Sequence, residues 1–168
     1  MRLLGVDPGT HLLGWGVIDI KGKSPAYVAC GALKGATGKP VAVRLARIAD
    51  ELSALIREHH PDRAAVEKAF FGKNANAALR VGEARGMALT ELARAGIPVE
   101  ELTATEVKKA VTGTGGAHKS QVQRMVAALL GLRTLPKPAD ASDALAIAIC
   151  LAHRLASPRS SRSVRRLS

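Results

Sequence analysis

The sequence RLLGVDPGT at residues 2–10, followed by GWGVI at residues 14–18, decides the fold. An apolar run of strand length ends on the carboxylate of Asp7, a Pro-Gly break follows at once, and a second β-rich run begins a few residues later. Aspartate is a poor strand residue, so this position serves either local structure or chemistry. The motif alone does not distinguish these two roles. In the structural role, the Asp7 carboxylate would cap a turn by accepting hydrogen bonds from the amides of Gly9 or Thr10.

Outside this stretch the chain alternates between short β-rich runs and amphipathic helices. Strands are predicted at residues 2–7, 14–20, 26–33, 64–67 and 97–100, and helices at residues 40–60, 75–95, 105–111 and 139–156, with a further helix over 122–130. Short connections favour antiparallel hairpins among the first three strands. This order predicts an α/β domain with a mixed five-stranded sheet, three strands antiparallel and two parallel, flanked by helices.

The predicted helix at residues 75–95 carries Gly82 and Gly86 on the same side as Leu79 and Leu89. Each glycine costs about 1 kcal/mol relative to alanine in a helix interior. We therefore expect a partner helix or the sheet to pack closely against this side and offset that cost.

Length and composition limit the class of protein. A chain of 168 residues is most simply one domain, assigned here to residues 1–157, while the Ser- and Arg-rich residues 158–168 have too little apolar content to fold. Cys30 and Cys150 show no metal-site spacing, as is typical of a reduced cytoplasmic protein. No apolar run reaches about 18 residues and no secretory signal opens the chain, so we expect no membrane segment.

The net charge of +11 is concentrated in segments. Residues 68–85, 104–139 and 154–168 carry most of the excess of Lys and Arg over Asp and Glu. Such clustering is expected of a surface that faces a polyphosphate, and it favours a nucleic-acid partner over the alternative of a generally basic protein.

Two further carboxylates open the last predicted helix. Asp140 and Asp143 are three residues apart and so share one face of that helix. Early acidic residues also suit the positive end of a helix, so capping is the alternative. Asp143 is in register with Ile147 and Cys150 in an apolar helix, and a carboxylate on a buried face needs a compensating partner. This favours a functional pair.

Four carboxylates can therefore meet at one edge of the sheet if the first and fourth strands are neighbours: Asp7, Glu67, Asp140 and Asp143. Two unit charges about 4 Å apart repel by about 4 kcal/mol at an effective dielectric near 20, so such a cluster needs cations. Oxygen ligands without Cys or His select Mg²⁺ or Mn²⁺. Two divalent ions would neutralise the four charges and form the two-metal site of phosphodiester hydrolysis.

Several motifs now stand in a fixed order. They are GVDPGT at 5–10, GWGV at 14–17, Glu67 with Phe70 and Lys73-Asn74, GEARG at 82–86, GTGGAHKSQV at 113–122 and DASDALA at 140–146. Over about residues 1–155 this set resembles the RuvC family of bacterial Holliday-junction resolvases, nucleases with the ribonuclease-H-like fold. The resemblance implies a homodimer that cuts two opposed strands of a four-way DNA junction at symmetric positions during recombination and repair.

The resemblance also assigns roles to individual residues. It implies that the four carboxylates bind two Mg²⁺ ions, with Mn²⁺ able to substitute, and that Lys119 lies close to the scissile phosphate. Lys108 and the loop residues Phe70, Phe71, Lys73 and Asn74 would contact DNA. Phe70 matches the aromatic residue that stacks on a junction base, with the choice between it and Phe71 left open.

Partners and location are implied in the same way. The family receives its junction from the RuvA and RuvB branch-migration proteins, in the bacterial cytoplasm at the nucleoid. The roles of His11, His118 and the Arg-rich tail stay open.

Other classes fit less well. An Asp-x-Gly-Thr motif also opens actin-like ATPases and sugar kinases, but those proteins need a second domain for which this chain has no room. A ribosomal-RNA processing nuclease of the same fold and a junction-binding protein without cleavage remain as alternatives, the second disfavoured by the complete carboxylate set.

Overall fold

The computed structural model describes residues 1–22, 24–68 and 75–157. The strands are β1, Arg2–Asp7; β2, Leu12–Lys21; β3, Ser24–Lys34; β4, Arg63–Glu67; and β5, Val99–Leu102. The helices are α1, Val41–His59; α2, Ala75–Arg94; α3, Ala104–Thr112; α4, Lys119–Leu129; and α5, Ala139–Ala156. The predicted tail at 158–168 and most of the predicted basic loop, residues 69–74, lie outside the described residues.

The strands form one sheet in the order β3-β2-β1-β4-β5. The pairs β1–β2 and β2–β3 are antiparallel, while β1–β4 and β4–β5 are parallel. The predicted mixed sheet is confirmed. Its two halves differ because tight connections join the first three strands, whereas α1 and α2 provide the long crossovers that parallel neighbours require.

Helices cover both faces of the sheet. Leu4 and Val6 of β1 face α1 and α2, packing with Ile48, Leu52 and Leu92. Leu3 of β1 faces the opposite way, into the cluster built by α3, α4 and α5. Helix α5 is the most deeply buried, since every residue from Ala141 to Ala152 except Asp143 is buried. Ile147 and Cys150, which share the helix side of Asp143, are therefore buried as predicted.

Strand β5 begins two residues later than the sequence pattern predicts. The ladder with β4 starts at the pair Ala64–Val99, and the carbonyl of Pro98 accepts a hydrogen bond from the Ala64 amide at 3.0 Å. Proline has no N–H to donate, so Pro98 contributes only at the margin of the sheet.

Neither the sheet nor another helix of the described chain packs against the glycines of α2, so that part of the expectation is wrong. A Cβ placed at Gly82 or Gly86 would meet nothing within 4 Å, and Leu79 on the same side is 60% exposed. The buried side of α2 carries Ala84, Ala88 and Leu92 instead. The alanine spacing of four residues, rather than the glycines, marks the side that packs on α1 and β4.

None of the helices among the described residues combines the length and the apolar character needed to cross a membrane.

Candidate active site

Strand alternation places two of the predicted carboxylates on one face of the sheet. Leu3 of β1 and Ala65 of β4 pack in the cluster beneath α5. Residues two positions apart in a strand share a face, so Asp7 and Glu67 also point towards α5. Because Val6 pairs with Val66 in parallel register, Asp7 and Glu67 end adjacent strands side by side.

Helix α5 brings the other two carboxylates. Asp140 lies in its first turn and Asp143 in the next, and both are partly exposed beside buried neighbours. The helix begins after Pro138, whose side chain has no polar atom and makes no capping hydrogen bond. Asp140 therefore occupies the first turn where the helix dipole favours a negative charge, as the capping alternative required. The two roles are compatible, because the same turn also faces Asp7.

The close approach of α5 depends on three glycines that face it from β1 and β2. Gly5 and Gly16 are directly paired across the two strands, and Gly14 is paired with Asp7. A Cβ at Gly5 would overlap the carbonyl oxygen of Ala144, and one at Gly14 would overlap that of Asp140. At Gly16 the backbone nitrogen of Leu145 would lie 2.8 Å away. The helix backbone thus rests directly on the strands.

These glycines are the residues whose role sequence reasoning missed. Their alternation in the GWGV motif, with Gly5 opposite, was the available signal: glycine weakens a strand interior and often marks the close approach of another backbone. They bring Asp140 and Asp143 within electrostatic reach of Asp7.

The pKa of the Asp7 carboxyl is raised to about 7, first by burial and then by the negative charges of Glu67, Asp143 and Asp140. A carboxylate that accepts amide hydrogen bonds in a turn would have a lowered pKa. The direction of the shift is instead that of a buried carboxyl within an acidic cluster, which disfavours the turn-cap alternative. Burial and Asp143 also raise the pKa of Glu67.

Lys119 is the cation closest to this cluster among the described residues. Its ammonium lies 2.6 Å from Oδ2 of Asp143, and this hydrogen bond is the main cause that raises the pKa of Lys119. The side chain of Lys119 is 61% exposed, at the first residue of α4. A permanently charged ammonium therefore faces solvent and the carboxylates together.

A cavity of about 210 Å³ opens beside the cluster. Glu67, Asp143, Lys108 and Lys119 line its polar side, and Ala104, Val107, Val122 and Ala146 its apolar side. The positive charges of Lys119 and Lys108 partly oppose the rise in the pKa of Glu67. The structure thus brings together both predicted lysines and two of the predicted acids in one concave surface.

The donor set suits a hard divalent cation. Four carboxylates face one nearby ammonium, and burial and their mutual repulsion raise the pKa of Asp7, so added positive charge would stabilise the cluster. As placed, however, no three Asp, Glu, His or Cys side chains of residues 1–22, 24–68 and 75–157 are grouped so as to hold a metal ion. The Lys119 ammonium lies beside Asp143, where it supplies the positive charge that a metal ion would otherwise provide. The residues fit such an ion in charge and atom type.

The predicted DNA-binding loop and His118, whose role the sequence left open, remain to be placed. Phe70, Phe71, Lys73 and Asn74 lie outside the described residues, so their DNA contacts stay predictions. His118 is exposed at the start of α4, where its backbone N–H donates to Oε1 of Gln121 at 2.8 Å. That contact assigns His118 a capping position.

A pH-dependent stability follows from Asp7. Because its folded pKa of about 7 exceeds the ordinary 3.8, the folded chain holds a proton that the unfolded chain has lost between those values. Stability should therefore fall as pH rises through that window. In EDTA, we expect the melting temperature to drop from about pH 5 to about pH 8, and Asp7→Asn to remove on the order of 5 °C of that drop. Parallel curves for the two proteins would contradict the burial of an ionised Asp7.

Comparisons with known proteins agree with this geometry. The sequence model of the family described as crossover junction endodeoxyribonuclease RuvC matches residues 3–151. Relatives of that name from Chloroflexus aggregans and Chloroflexus aurantiacus are 55% and 52% identical, each covering 91% of this chain and 93% of the relative. The solved structure described as T. thermophilus RuvC in complex with Holliday junction substrate has a TM-score of 0.86 at 35% identity, covering 92% of this chain and 94% of that one. The implied ribonuclease-H-like fold is confirmed.

Proposed function

The chain belongs to the RuvC family of crossover junction endodeoxyribonucleases, and on that premise we propose that it resolves Holliday junctions by hydrolysing two opposed DNA strands at symmetric positions. The observation that carries the proposal is the meeting of Asp7, Glu67, Asp140 and Asp143 beside Lys119 at one edge of the sheet. Neither alternative, a ribosomal-RNA processing nuclease or a junction binder without cleavage, is favoured.

Nucleases of this family are metal-dependent. We propose two Mg²⁺ ions, with Mn²⁺ as a substitute, held by the four carboxylates. When bound, such ions supply a water activated for attack on phosphorus and stabilise the 3′ oxygen that leaves. The raised pKa values of Asp7 and Glu67 support this assignment, since divalent cations bind the ionised form, which burial and the neighbouring charges disfavour.

The lysines of the chain stabilise and position the scissile phosphate. The ammonium of Lys119 stays protonated because its pKa is raised, and it can offset the negative charge that grows on the scissile phosphate. Asp143 holds it at 2.6 Å, so the lysine is positioned before DNA arrives. Lys108, across the cavity, adds a second cation for the phosphate backbone. The products are a 3′ hydroxyl and a 5′ phosphate at each nick.

The decisive experiment compares a synthetic four-way junction with a linear duplex of the same sequence. Each is incubated with the protein in Mg²⁺, Mn²⁺ or EDTA, and the strands are mapped on a denaturing gel. We expect paired, symmetric nicks in the junction alone, none in EDTA, and products that DNA ligase seals. Equal cutting of the duplex, or cutting that persists in EDTA, would refute the proposal.

We also propose that two copies act together, as symmetric cleavage requires. The exposed side of α2 supports this: Leu79 is 60% exposed, and Gly82 and Gly86, three and seven residues on, leave open space above the helix. Glycines let two helix backbones approach closely, so a second copy of this chain could offset their cost. No residue in the ranges 1–22, 24–68 and 75–157 packs against the added Cβ of either glycine.

The expected result is a dimer that Leu79→Glu dissociates, because a carboxylate would be buried unpaired in the interface. Sedimentation equilibrium measures the mass. Val43→Glu, which changes an exposed apolar residue of α1 in the same way, should remain dimeric. A monomeric wild type would refute the pairing of two copies, and a dimer that survives Leu79→Glu would place the interface elsewhere. The proposed transfer of junctions from RuvA and RuvB rests on family membership and is tested by co-sedimentation of the three proteins on a junction.

A further inference from the structure

A basic run outside the segments found in the sequence spans the end of β3 and the start of α1. Residues 34–47 contain Lys34, Lys39, Arg44 and Arg47 and no acidic residue. The four charges are spaced over fourteen residues that belong to a strand, a loop and a helix. Because they are spread over three elements, they do not form a dense basic segment in the sequence.

Folding brings this run to the same edge of the sheet as Asp7. Strand β3 ends at Lys34, which is paired with Leu12 at the start of β2, and β1 ends at Asp7 on the other side of β2. Neighbouring strands are about 4.8 Å apart, so β3 lies about 10 Å from β1. The loop is fixed there by the Gly35 amide, which donates to the His11 carbonyl at 3.0 Å.

Three of these four cations have no ion-pair partner within the described chain. Arg47 pairs with Glu51 at 2.9 Å, but no carboxylate of the described residues forms an ion pair with Lys34, Lys39 or Arg44. The stem of Arg44 packs against Gly35, where an added Cβ would lie 3.0 Å from Arg44 Cβ. Its Nε is buried and has no hydrogen-bond partner. Arg44 is thus held in place by packing, and no described carboxylate pairs with its guanidinium.

Resting on the proposed function, we infer that Lys34, Lys39 and Arg44 form a second DNA-contact surface, the β3–α1 basic flank, that binds backbone phosphates on the β2–β3 side of Asp7. Lys108 and Lys119 line the cavity with Glu67, on the β4 side. The acidic cluster thus lies between two groups of cations. DNA carries one phosphate per about 3.4 Å of each strand, so a backbone seated at Asp7 presents further phosphates within the roughly 10 Å that separates it from β3.

The β3–α1 basic flank would also offset the repulsion between the acidic cluster and DNA. Four carboxylates repel a polyanion, and Lys119 supplies only one charge beside them. Cations on one side alone would tilt the DNA away from Asp7, whereas cations on both sides hold the backbone across the cluster. The contacts would be to phosphates, so they would set position and affinity rather than sequence preference.

The test is the salt dependence of junction binding. Lys34→Gln/Lys39→Gln removes two exposed charges, and Lys21→Gln/Arg57→Gln removes two from the ends of β2 and α1 that lie away from the cluster. Binding of a fluorescent synthetic four-way junction is measured in EDTA over a range of salt. We expect the slope of log affinity against log salt to shrink by about 1.8 in the flank variant, about 0.9 per lost contact, and the control to match wild type.

A flank variant whose affinity and slope equal those of the control overturns the inference. Nicking of the junction by wild type in Mg²⁺ is measured alongside. A wild type that fails to nick refutes the proposed function, whereas a wild type that nicks, together with an unchanged slope in the flank variant, refutes the β3–α1 basic flank alone.

Discussion

Replacing Asp7 with asparagine is expected to abolish junction cleavage and leave junction binding intact. The carboxylate ends β1 beside Glu67, and burial together with three neighbouring carboxylates raises its pKa to about 7. Asparagine keeps the shape but removes the charge that a divalent cation requires. We expect the cleavage rate to fall at least about 10³-fold, which corresponds to a loss of about 4 kcal/mol of transition-state stabilisation.

Binding should survive because the change removes a negative charge from a surface that faces phosphates. Affinity measured in EDTA should equal or exceed that of wild type. Asp50→Asn, at an exposed position of α1, is the matched control and should cleave normally. Cleavage by Asp7→Asn at the wild-type rate would exclude Asp7 from the chemistry. Joint loss of cleavage, binding and the folded state would show that Asp7 is structural.

The second large effect concerns Gly5, which should not tolerate alanine. The added methyl group would overlap the Ala144 carbonyl oxygen and lie 2.7 Å from the Ala148 nitrogen, and both atoms belong to the backbone of the buried helix α5. A helix cannot rotate a backbone atom away as a side chain would, so α5 must move from the sheet. Overpacking of this kind costs about 1–3 kcal/mol or more.

Thermal unfolding measures the outcome. We expect Gly5→Ala to lower the melting temperature by on the order of 10 °C and to lose cleavage, because Asp140 and Asp143 move with α5. Gly116→Ala is the control, since the nearest atom to its added methyl group is Oγ1 of Thr114 at 4.0 Å. A Gly5→Ala protein that melts and cleaves as wild type does would show that α5 can withdraw without cost.

Gly14→Ala separates stability from function. Its methyl group would overlap the Asp140 carbonyl oxygen, at the first turn of α5, where a helix end can shift locally. A smaller loss of stability with a large loss of cleavage is therefore expected. If cleavage instead follows stability in both variants, the glycines only support the fold.

The division between what sequence and structure contribute is clearest at particular residues. Strand period and the Pro-Gly break placed β1 and its terminal Asp7 correctly, and α1 and α5 followed from apolar periodicity and from proline at their starts. These are local properties, decided by each residue and its near neighbours. The same local reasoning did not show that Gly82 and Gly86 lie away from the core, because an α-helix pattern does not state which of its sides meets the core.

The sequence by itself determined the order of elements, the family, and the four carboxylates as candidates. Only the tertiary structure decided that Asp7 and Glu67 share the α5 face, that Gly5, Gly14 and Gly16 let the α5 backbone rest on the strands, and that Lys34, Lys39 and Arg44 reach the same edge. The physical reason is sequence distance. Residues 5 and 144 come into backbone contact only once β1 and α5 have packed together. The basic residues at the end of β3 and the start of α1 likewise reach the edge of Asp7 only once β1, β2 and β3 have formed the sheet.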